Sequence, residues 1–334
     1  METGAAQSTC ISRRFKVVNF APESTFDHTF HTGALSLRLS SVAGAEAITS
    51  TLGVRDLCAV TALAEVSGGD DTSLIWMADT VCELLSYARG TRVQWISYED
   101  VGENNEVLKT HYGNRITRRL SPMDLIEESK IFTFVEQTLA PYAEFREVFP
   151  YRKLLGLYLD ACDQTDFIDV RAIKIVVLME AIKAILLEKN PLPPIFPSKS
   201  KARLFAAEIR NAIEATAQEL ELSNEATESL IAKSGGCNHP TFRECIDHVQ
   251  KLLRIRIERN NVTTFINARN RLIHEATFLH LAQPNRELPF SNHAEEYFWL
   301  VSFVDRFVLR LIGYRGPYLD RASHEEGLIS AESD

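Results

Sequence analysis

The most apolar run of the sequence, residues 173–187, is the feature that most restricts the fold. Lys174, Glu180 and Lys183 interrupt it, which is costly in a lipid-facing span and ordinary in a helix at the centre of a bundle. Apolar side chains lie on almost every side of the longer stretch 166–189. We therefore predict a central bundle helix here and no membrane segment. Glu180 should either have a cationic partner or face a gap to solvent, because a carboxylate is rarely buried alone.

Long helical periods begin after Ser121-Pro122 and continue on both sides of this stretch. Proline and glycine residues, such as Pro141 and Pro284, separate the periodic segments and predict helix ends. The predicted helices cover residues 124–138, 151–163, 166–189, 200–221, 224–233, 241–260, 262–280 and 292–312. Beyond residue 318 the sequence is small, polar and acidic, so we expect a disordered acidic tail over 319–334.

The first 122 residues have a different pattern, in which apolar and polar side chains alternate as they do in β-strands. Helical spacing predicts one helix there, over residues 72–88, and alternation predicts strands over 13–20, 33–40, 91–98 and 106–112. The predicted fold class is therefore α+β. An N-terminal mixed α/β domain over residues 1–122 precedes an all-α helical domain over residues 123–318.

The composition narrows the classes of function. With 334 residues and a formal net charge of −9, the chain is long enough for two domains and has no general polyanion-binding surface. Contact with nucleic acid would need a local basic patch, and residues 251–271 offer one that includes Arg256, Arg259, Arg269 and Arg271. Charged side chains that coat an amphipathic helix explain this block equally well. The first residues are polar, which predicts no signal peptide and a cytoplasmic protein.

An arginine, an amide and a histidine lie together in residues 265–275, within an otherwise amphipathic helical run. Arg269 provides a planar fork of donors that fits phosphate oxygens, and His274 can take and give a proton near neutral pH. Asn270 follows the arginine directly. This combination suits chemistry on a phosphate without a metal ion, and Arg269 is also a sensible partner for Glu180.

Two other pairs have a similar spacing of arginine and histidine, namely Arg243 with His248 and Arg286 with His293. Neither has the Arg-Asn-x-Leu-x-His arrangement, so we prefer residues 269–274. Residues five positions apart on a helix differ by about 140° in direction and do not share a face. The arginine side chain must therefore reach round the helix, or two protomers must combine their residues. Ordinary surface residues on a solvated helix remain an open alternative.

The segment Arg269-Asn270-Arg271-Leu272-Ile273-His274 resembles the R-x4–6-H signature of the HEPN superfamily. The order of elements around it resembles the ApeA-like branch, with Val-Leu-Met-Glu-Ala-Ile in the central helix and Leu-Ile-Gly-Tyr-Arg-Gly-Pro-Tyr at the end of the last one. Residues 82–96 are similar to the α+β part that precedes such domains. The resemblance implies a HEPN-type helical bundle and a metal-independent endoribonuclease in bacterial anti-phage defence or a toxin-like system.

The resemblance also implies roles for residues. Arg269, Asn270 and His274 would form the catalytic set, and Glu180 would support the arginine. The side chains expected to contact RNA are Arg271, Arg259 and Arg256. The implied partners are RNA and a second copy of the chain in a homodimer with a composite active site, with room for a regulatory protein, and no cofactor or metal is implied. Degenerate members of the superfamily suggest the alternative, a non-catalytic module that binds a partner protein, a nucleotide or RNA.

Six cysteines lie along the chain without the spacing of a disulfide framework, which indicates free thiols in a reducing compartment. One cluster contains soft metal ligands, namely Cys237, His239, Cys245 and His248. Its spacing matches no common zinc pattern, and a loop followed by a helix N-terminus explains it better. We expect these side chains not to converge on a metal, and a zinc-dependent hydrolase is the least favoured function.

Overall fold

A computed structural model of the chain describes residues 11–22, 24–45, 59–113, 123–196, 198–234 and 239–328. Its N-terminal part is an antiparallel sheet of six strands. They are β1 (Ser12–Val18), β2 (Asp27–Thr32), β3 (Leu35–Ser41), β4 (Val60–Ser67), β5 (Gln94–Val101) and β6 (Val107–Tyr112). Their order across the sheet is β2-β3-β4-β1-β5-β6, so β1 lies at the centre.

The central strand β1 pairs with β4 on one side and β5 on the other, with Phe15 opposite Ala64 and Tyr98. Its alternation places Phe15 and Val17 fully in the core. Alternation correctly predicted β1, β3, β5 and β6, but β2 and β4 were not predicted. Inward-facing alanines occupy much of β4 and polar residues dominate β2, and both types of residue give a weak strand signal.

Helix α1 (Asp71–Arg89) packs on this sheet and connects it to the rest of the chain. Asp70 caps its first turn, and Gly90 ends it in the left-handed conformation with φ of 56°. A Cβ atom at Gly90 would lie 2.4 Å from the carbonyl oxygen of Met123, so only glycine allows this close approach. The Met123 N–H in turn donates to the carbonyl of Arg89.

The rest of the described chain is mostly helical. A short 3-10 helix at Glu128–Lys130 leads into α2. The helices are α2 (Ile131–Val148), α3 (Tyr151–Cys162), α4 (Ile168–Lys189), α5 (Lys199–Glu219), α6 (Asn224–Ser234), α7 (Phe242–Leu253), α8 (Arg259–Glu275), α9 (Leu279–Ala282) and α10 (His293–Leu311). The chain therefore combines an antiparallel sheet with a helical region, and the fold class is α+β.

The predicted helix end at Pro141 is wrong, because α2 continues through this residue to Val148. Pro141 lies beside Gly313, where a Cβ atom would come within 2.4 Å of the proline Cβ. Packing of the proline ring on the glycine keeps the helix in place despite the missing N–H. Tertiary contact has overridden the local signal.

The predicted boundary between the helices before and after residue 261 also differs from the structure. Helix α7 ends at Leu253 because Arg254 adopts the left-handed conformation, with φ of 53°. Ile255 and Ile257 of the following connection are buried, and the Ile257 N–H donates to the Gln250 side chain at 2.9 Å. The basic block 251–271 therefore spans two helices and an extended connection.

Helix α4 was expected to be apolar and buried on almost every side, but one side is open. Ile175 and Met179 face the core, whereas Val170 and Val177 are exposed and Phe167, just before the helix, is 84% exposed. The neighbouring helices α3, α7, α8 and α10 leave this strip uncovered. The apolar sequence therefore supplies both a core face and an exposed apolar face.

The expected disordered tail is wrong for the residues up to 328. They form a hairpin of β7 (Pro317–Asp320) and β8 (Glu325–Leu328). Arg321, in the turn, is only 4% exposed and donates to the Tyr158 hydroxyl at 2.9 Å. It also lies 3.5 Å from the buried Asp305 carboxylate. Residues 329–334 lie outside the described part.

One continuous core joins the sheet, α1 and the helices that follow, so the change of secondary structure near residue 122 does not separate two cores. Residues 114–122 themselves lie outside the described ranges. None of the helices in those ranges is long and apolar enough to cross a membrane.

Candidate functional site

Arg269 lies in the second half of α8, where it faces Glu180 of α4. Its Nε and Nη2 atoms donate to Oε1 of Glu180 at 3.0 and 2.7 Å. Its Nη1 atom donates to the side-chain oxygen of Asn270 at 2.8 Å. The expected pairing of Arg269 with Glu180 is therefore present, and Asn270 holds a second side of the same guanidinium.

Lys183 and Phe242 complete the surroundings of Glu180. The Lys183 Nζ atom lies 2.5 Å from Oε2 of Glu180, one turn along α4. Burial opposes ionisation of Glu180, but its bonds to Lys183 and Arg269 outweigh burial and lower the pKa of the carboxyl. Both cations also lie over the Phe242 ring, with Nζ at 4.6 Å and the Arg269 Cζ at 5.0 Å from its centre. Two cations and one carboxylate leave this cluster with a net positive charge.

The guanidinium of Arg269 is only partly occupied by these contacts. It carries five N–H donors, and the bonds to Glu180 and Asn270 use three of them. One N–H on each of Nη1 and Nη2 therefore has no acceptor among the described residues and can donate to a further group. The side chain is 21% exposed. An anion at the surface can therefore reach a guanidinium whose direction Glu180 has already set.

His274 lies in the last turn of α8, and its side chain is exposed. The helix ends two residues later at Ala276, which adopts the left-handed conformation. Within the described part of the chain His274 makes no hydrogen bond. It is five residues from Arg269, so the two side chains leave the helix in directions about 140° apart. One copy of α8 does not bring both side chains to one face.

The three other arginines expected at the site are spread along α8 and the connection before it. Arg271 forms an ion pair with Glu275, one turn further on. Arg256 and Arg259 are exposed at the N-terminal end of the helix. From Arg259 to His274 the helix rises about 22 Å. These arginines therefore extend a basic surface away from Arg269 rather than surrounding it.

The rival arginine and histidine pairs are engaged elsewhere. Arg243 donates to the Thr263 hydroxyl at 2.8 Å, and the His248 ring bonds to the carbonyl of Asn190 at 3.1 Å. In the second pair, Arg286 donates to a nearby glutamine, and the His293 ring packs edge-on against Phe278 at 4.6 Å. Among the described residues, neither Arg243 nor Arg286 forms an ion pair.

The predicted cysteine and histidine cluster is only partly described. Cys237 lies outside the described residues, and His239 is exposed. Cys245 is buried, and burial raises the pKa of its thiol. His248 directs its ring to a backbone carbonyl at the end of α4. Across the described ranges, no group of three or more metal-binding side chains is assembled.

Sequence reasoning missed a second histidine and carboxylate pair, formed by His280 and Glu296. Glu296 is fully buried in α10, and its carboxylate accepts bonds from the backbone N–H of Leu279 and His280 at 2.8 and 3.0 Å. The His280 Nδ1 atom lies 2.7 Å from the same carboxylate. This arrangement caps α9 and fixes the imidazole. No local signal reveals it, because the partners are 16 residues apart across a loop.

Sequence reasoning also missed the roles of Lys183 and Phe242. Lys183 stands three residues after Glu180, a spacing that places both on one face of a helix and could have indicated the contact. Phe242 begins α7 and has no comparable signal, because only tertiary packing brings it under the two cations.

The chain was compared with protein-family models, curated proteins and solved structures, and none of them matches it. The geometry of α4, α7 and α8 is therefore the basis for assigning a function.

Proposed function

We propose that this protein is a metal-independent endoribonuclease of the HEPN type, acting in bacterial anti-phage defence or a toxin-like system. One observation carries the proposal. Glu180 and Asn270 hold Arg269 while one N–H on each of its Nη1 and Nη2 atoms keeps no acceptor in the described part of the chain, and an exposed His274 lies about one and a half turns further along the same helix. A fixed arginine and an accessible imidazole are the two groups that RNA cleavage without metal requires.

In the proposed reaction His274 removes the proton from a 2′-hydroxyl of the RNA. The 2′-oxygen then attacks the adjacent phosphorus, and the bond from phosphorus to the 5′-oxygen breaks. A second imidazole gives a proton to the leaving oxygen, while Arg269 stabilises the negative charge that develops on the phosphoryl oxygens. The products are a 2′,3′-cyclic phosphate and a 5′-hydroxyl, and no metal ion takes part.

The second imidazole comes from another copy of the chain in this proposal. Arg269 and His274 point in different directions on one helix, so two copies of α8 that meet about a two-fold axis could form one composite cleft. The exposed apolar residues Val170 and Val177 of α4, the helix that carries Glu180, support a contact with another chain near the site. Arg271, Arg259 and Arg256 would then hold the RNA backbone on either side of the cleft.

Incubation of the purified protein with mixed RNAs in EDTA tests the reaction. We expect cleavage with cyclic phosphate ends, and His274→Ala should lower the rate by about 10²–10⁴-fold because a positioned acid or base is lost. His239→Ala is the matched control, since it removes another exposed histidine and should leave cleavage unchanged. Cleavage that requires magnesium, or an equally active His274→Ala variant, would contradict the mechanism.

A non-catalytic module is the second candidate, and one observation favours it. His274 has no hydrogen-bond partner to orient its ring in the described part of the chain, whereas catalytic histidines are usually oriented by a second group. In that case the cluster around Arg269 would bind a nucleotide, RNA or a regulatory protein through the remaining N–H groups of the guanidinium. Binding of RNA without cleavage under every condition would favour this function.

A further inference from the structure

Helices α5 and α6 form an arm (residues 199–234) that is largely separate from the core. The two helices pack mainly on each other. Ala217 is the only buried residue of α5, and α6 has none. Because the arm buries so little of its surface against the core, we expect its exposed apolar side chains to contact another surface.

One side of α5 carries a mostly apolar stripe that is exposed over much of its length, although Ile209 is half-buried and the Phe205 ring packs on Phe196 with 4.7 Å between ring centres. The side of α5 that faces α6 contains the buried Ala217, which lies about a quarter turn around the helix from the middle of the stripe. In the stripe, Phe205 near the start of α5 is 40% exposed and Leu220 at the end of α5 is 64% exposed. The stripe consists of residues at helical spacing, namely Phe205, Ile209, Ala212, Thr216 and Leu220.

Two opposite charges flank this stripe on its open side. Lys201 and Glu219 are 18 residues apart, which is about five full turns, so they lie on one line along the helix and about 27 Å from each other. Both side chains are exposed, and neither forms an ion pair within the described part of the chain. Lys201 stands at the start of the stripe and Glu219 at its end.

We propose that the stripe of α5 pairs with the same stripe of a second copy of the chain, antiparallel and about a two-fold axis near residue 210. In an antiparallel helix pair, each flank meets the same flank of the other helix. Lys201 of each copy therefore faces Glu219 of the other, and both ion pairs form at once. The Lys201 and Glu219 charges are complementary across the axis, and these two ion pairs favour a second copy over an unrelated apolar helix.

The pairing places Ala212 of each copy beside Glu208 of the other, close to the axis. Ala212→Glu would therefore bring four carboxylates together without disturbing the folded monomer, because Ala212 is exposed. Ala207→Glu is the matched control. It makes the same change at an exposed position on the opposite side of α5.

Analytical ultracentrifugation of the full chain over a range of concentrations measures the effect. We expect the wild type to associate, Ala212→Glu to halve the mass or raise the dissociation constant at least about tenfold, and Ala207→Glu to behave as the wild type. Lys201→Glu and Glu219→Lys should each weaken association, and the double variant should recover it.

A wild type that stays monomeric at high concentration would overturn the pairing, as would an Ala212→Glu variant that associates normally. The second result would place any dimer contact elsewhere, including the composite cleft proposed above. The measurement needs no RNA, so it succeeds or fails independently of the nuclease assay.

Discussion

Glu180 binds the Nε and Nη2 side of the Arg269 guanidinium, and one N–H on each of Nη1 and Nη2 keeps no acceptor among the described residues. The same carboxylate binds Lys183, so a single half-buried anion holds two cations at one surface. An isolated arginine would lose side-chain entropy each time it gripped a phosphate, and here the ion pair has already restricted it. The ion pair therefore fixes the orientation of the guanidinium in addition to placing a positive charge at the surface.

Arg269→Lys tests whether direction matters. Lysine keeps the positive charge but has no planar fork, so it cannot hold Glu180 and two phosphoryl oxygens together. We expect RNA cleavage to fall by about tenfold or more, the equivalent of one charged hydrogen bond. Single-turnover rates with saturating RNA measure the change.

Arg271→Lys is the control for this substitution. Arg271 lies two residues away and pairs with Glu275 across one turn of the helix, a contact that lysine can also make. Its effect on cleavage should stay within a few-fold. Equal losses in the two variants would show that only the overall positive charge is needed.

The terminal hairpin of β7 and β8 shows how one side chain organises an element. Arg321 lies in the core, 3.5 Å from the Asp305 carboxylate. Burial raises the pKa of Asp305 from 3.8 to about 6. Arg321 also donates to the Tyr158 hydroxyl and to the backbone of Met123. The hairpin is thereby joined to α3 and to the segment that follows the sheet.

Arg321→Met should destabilise the protein strongly, by about 3–5 kcal/mol, because it leaves the Asp305 carboxylate buried without its partner. Urea unfolding measures the loss. Arg321→Met combined with Asp305→Asn should recover part of it, since no unpaired charge remains. Arg306→Met is the control, because Arg306 binds the same hairpin from a more exposed position. A similar loss in the control would refute the special role of Arg321.

At the scale of the whole molecule, α1 joins the sheet to the helices through a buried polar contact. Glu83 of α1 accepts a hydrogen bond from Tyr142 at 3.2 Å and lies 3.4 Å from Arg146, both on α2. Burial raises the pKa of Glu83 from 4.5 to about 7, against the opposing effect of Arg146. The junction between the two parts is therefore sensitive to pH.

We expect Glu83 to contribute a decrease in the free energy of unfolding as the pH rises from about 4.5 to about 7. Between these values the folded protein keeps the Glu83 proton and the unfolded chain has lost it, so raising the pH favours unfolding. Glu83→Gln should reduce this slope, and Glu144→Gln, at an exposed position of α2, should not. Chemical denaturation at a series of pH values provides the comparison. An unchanged slope in Glu83→Gln would assign the pH dependence to other groups.

Local periodicity was sufficient to predict the change from strands to helices and the position of α4, because side-chain spacing of 2 or 3.6 residues can be read from consecutive residues. The apolar surroundings of Glu180 suggested a cationic partner such as Arg269, but not Lys183. The roles of Arg269 and His274 in chemistry stay predictions, since the sequence places both on α8 without showing what they meet.

The tertiary structure alone decided the features that depend on residues far apart in the chain. Helix α2 passes through Pro141 because Gly313 makes room for its ring, and the terminal residues fold because Arg321 finds Asp305. The exposure of the arm and of one side of α4 likewise depends on which other helices pack against them. Residues that are distant in the sequence acquire these roles only when the folded chain packs them together, and no local sequence pattern indicates that packing.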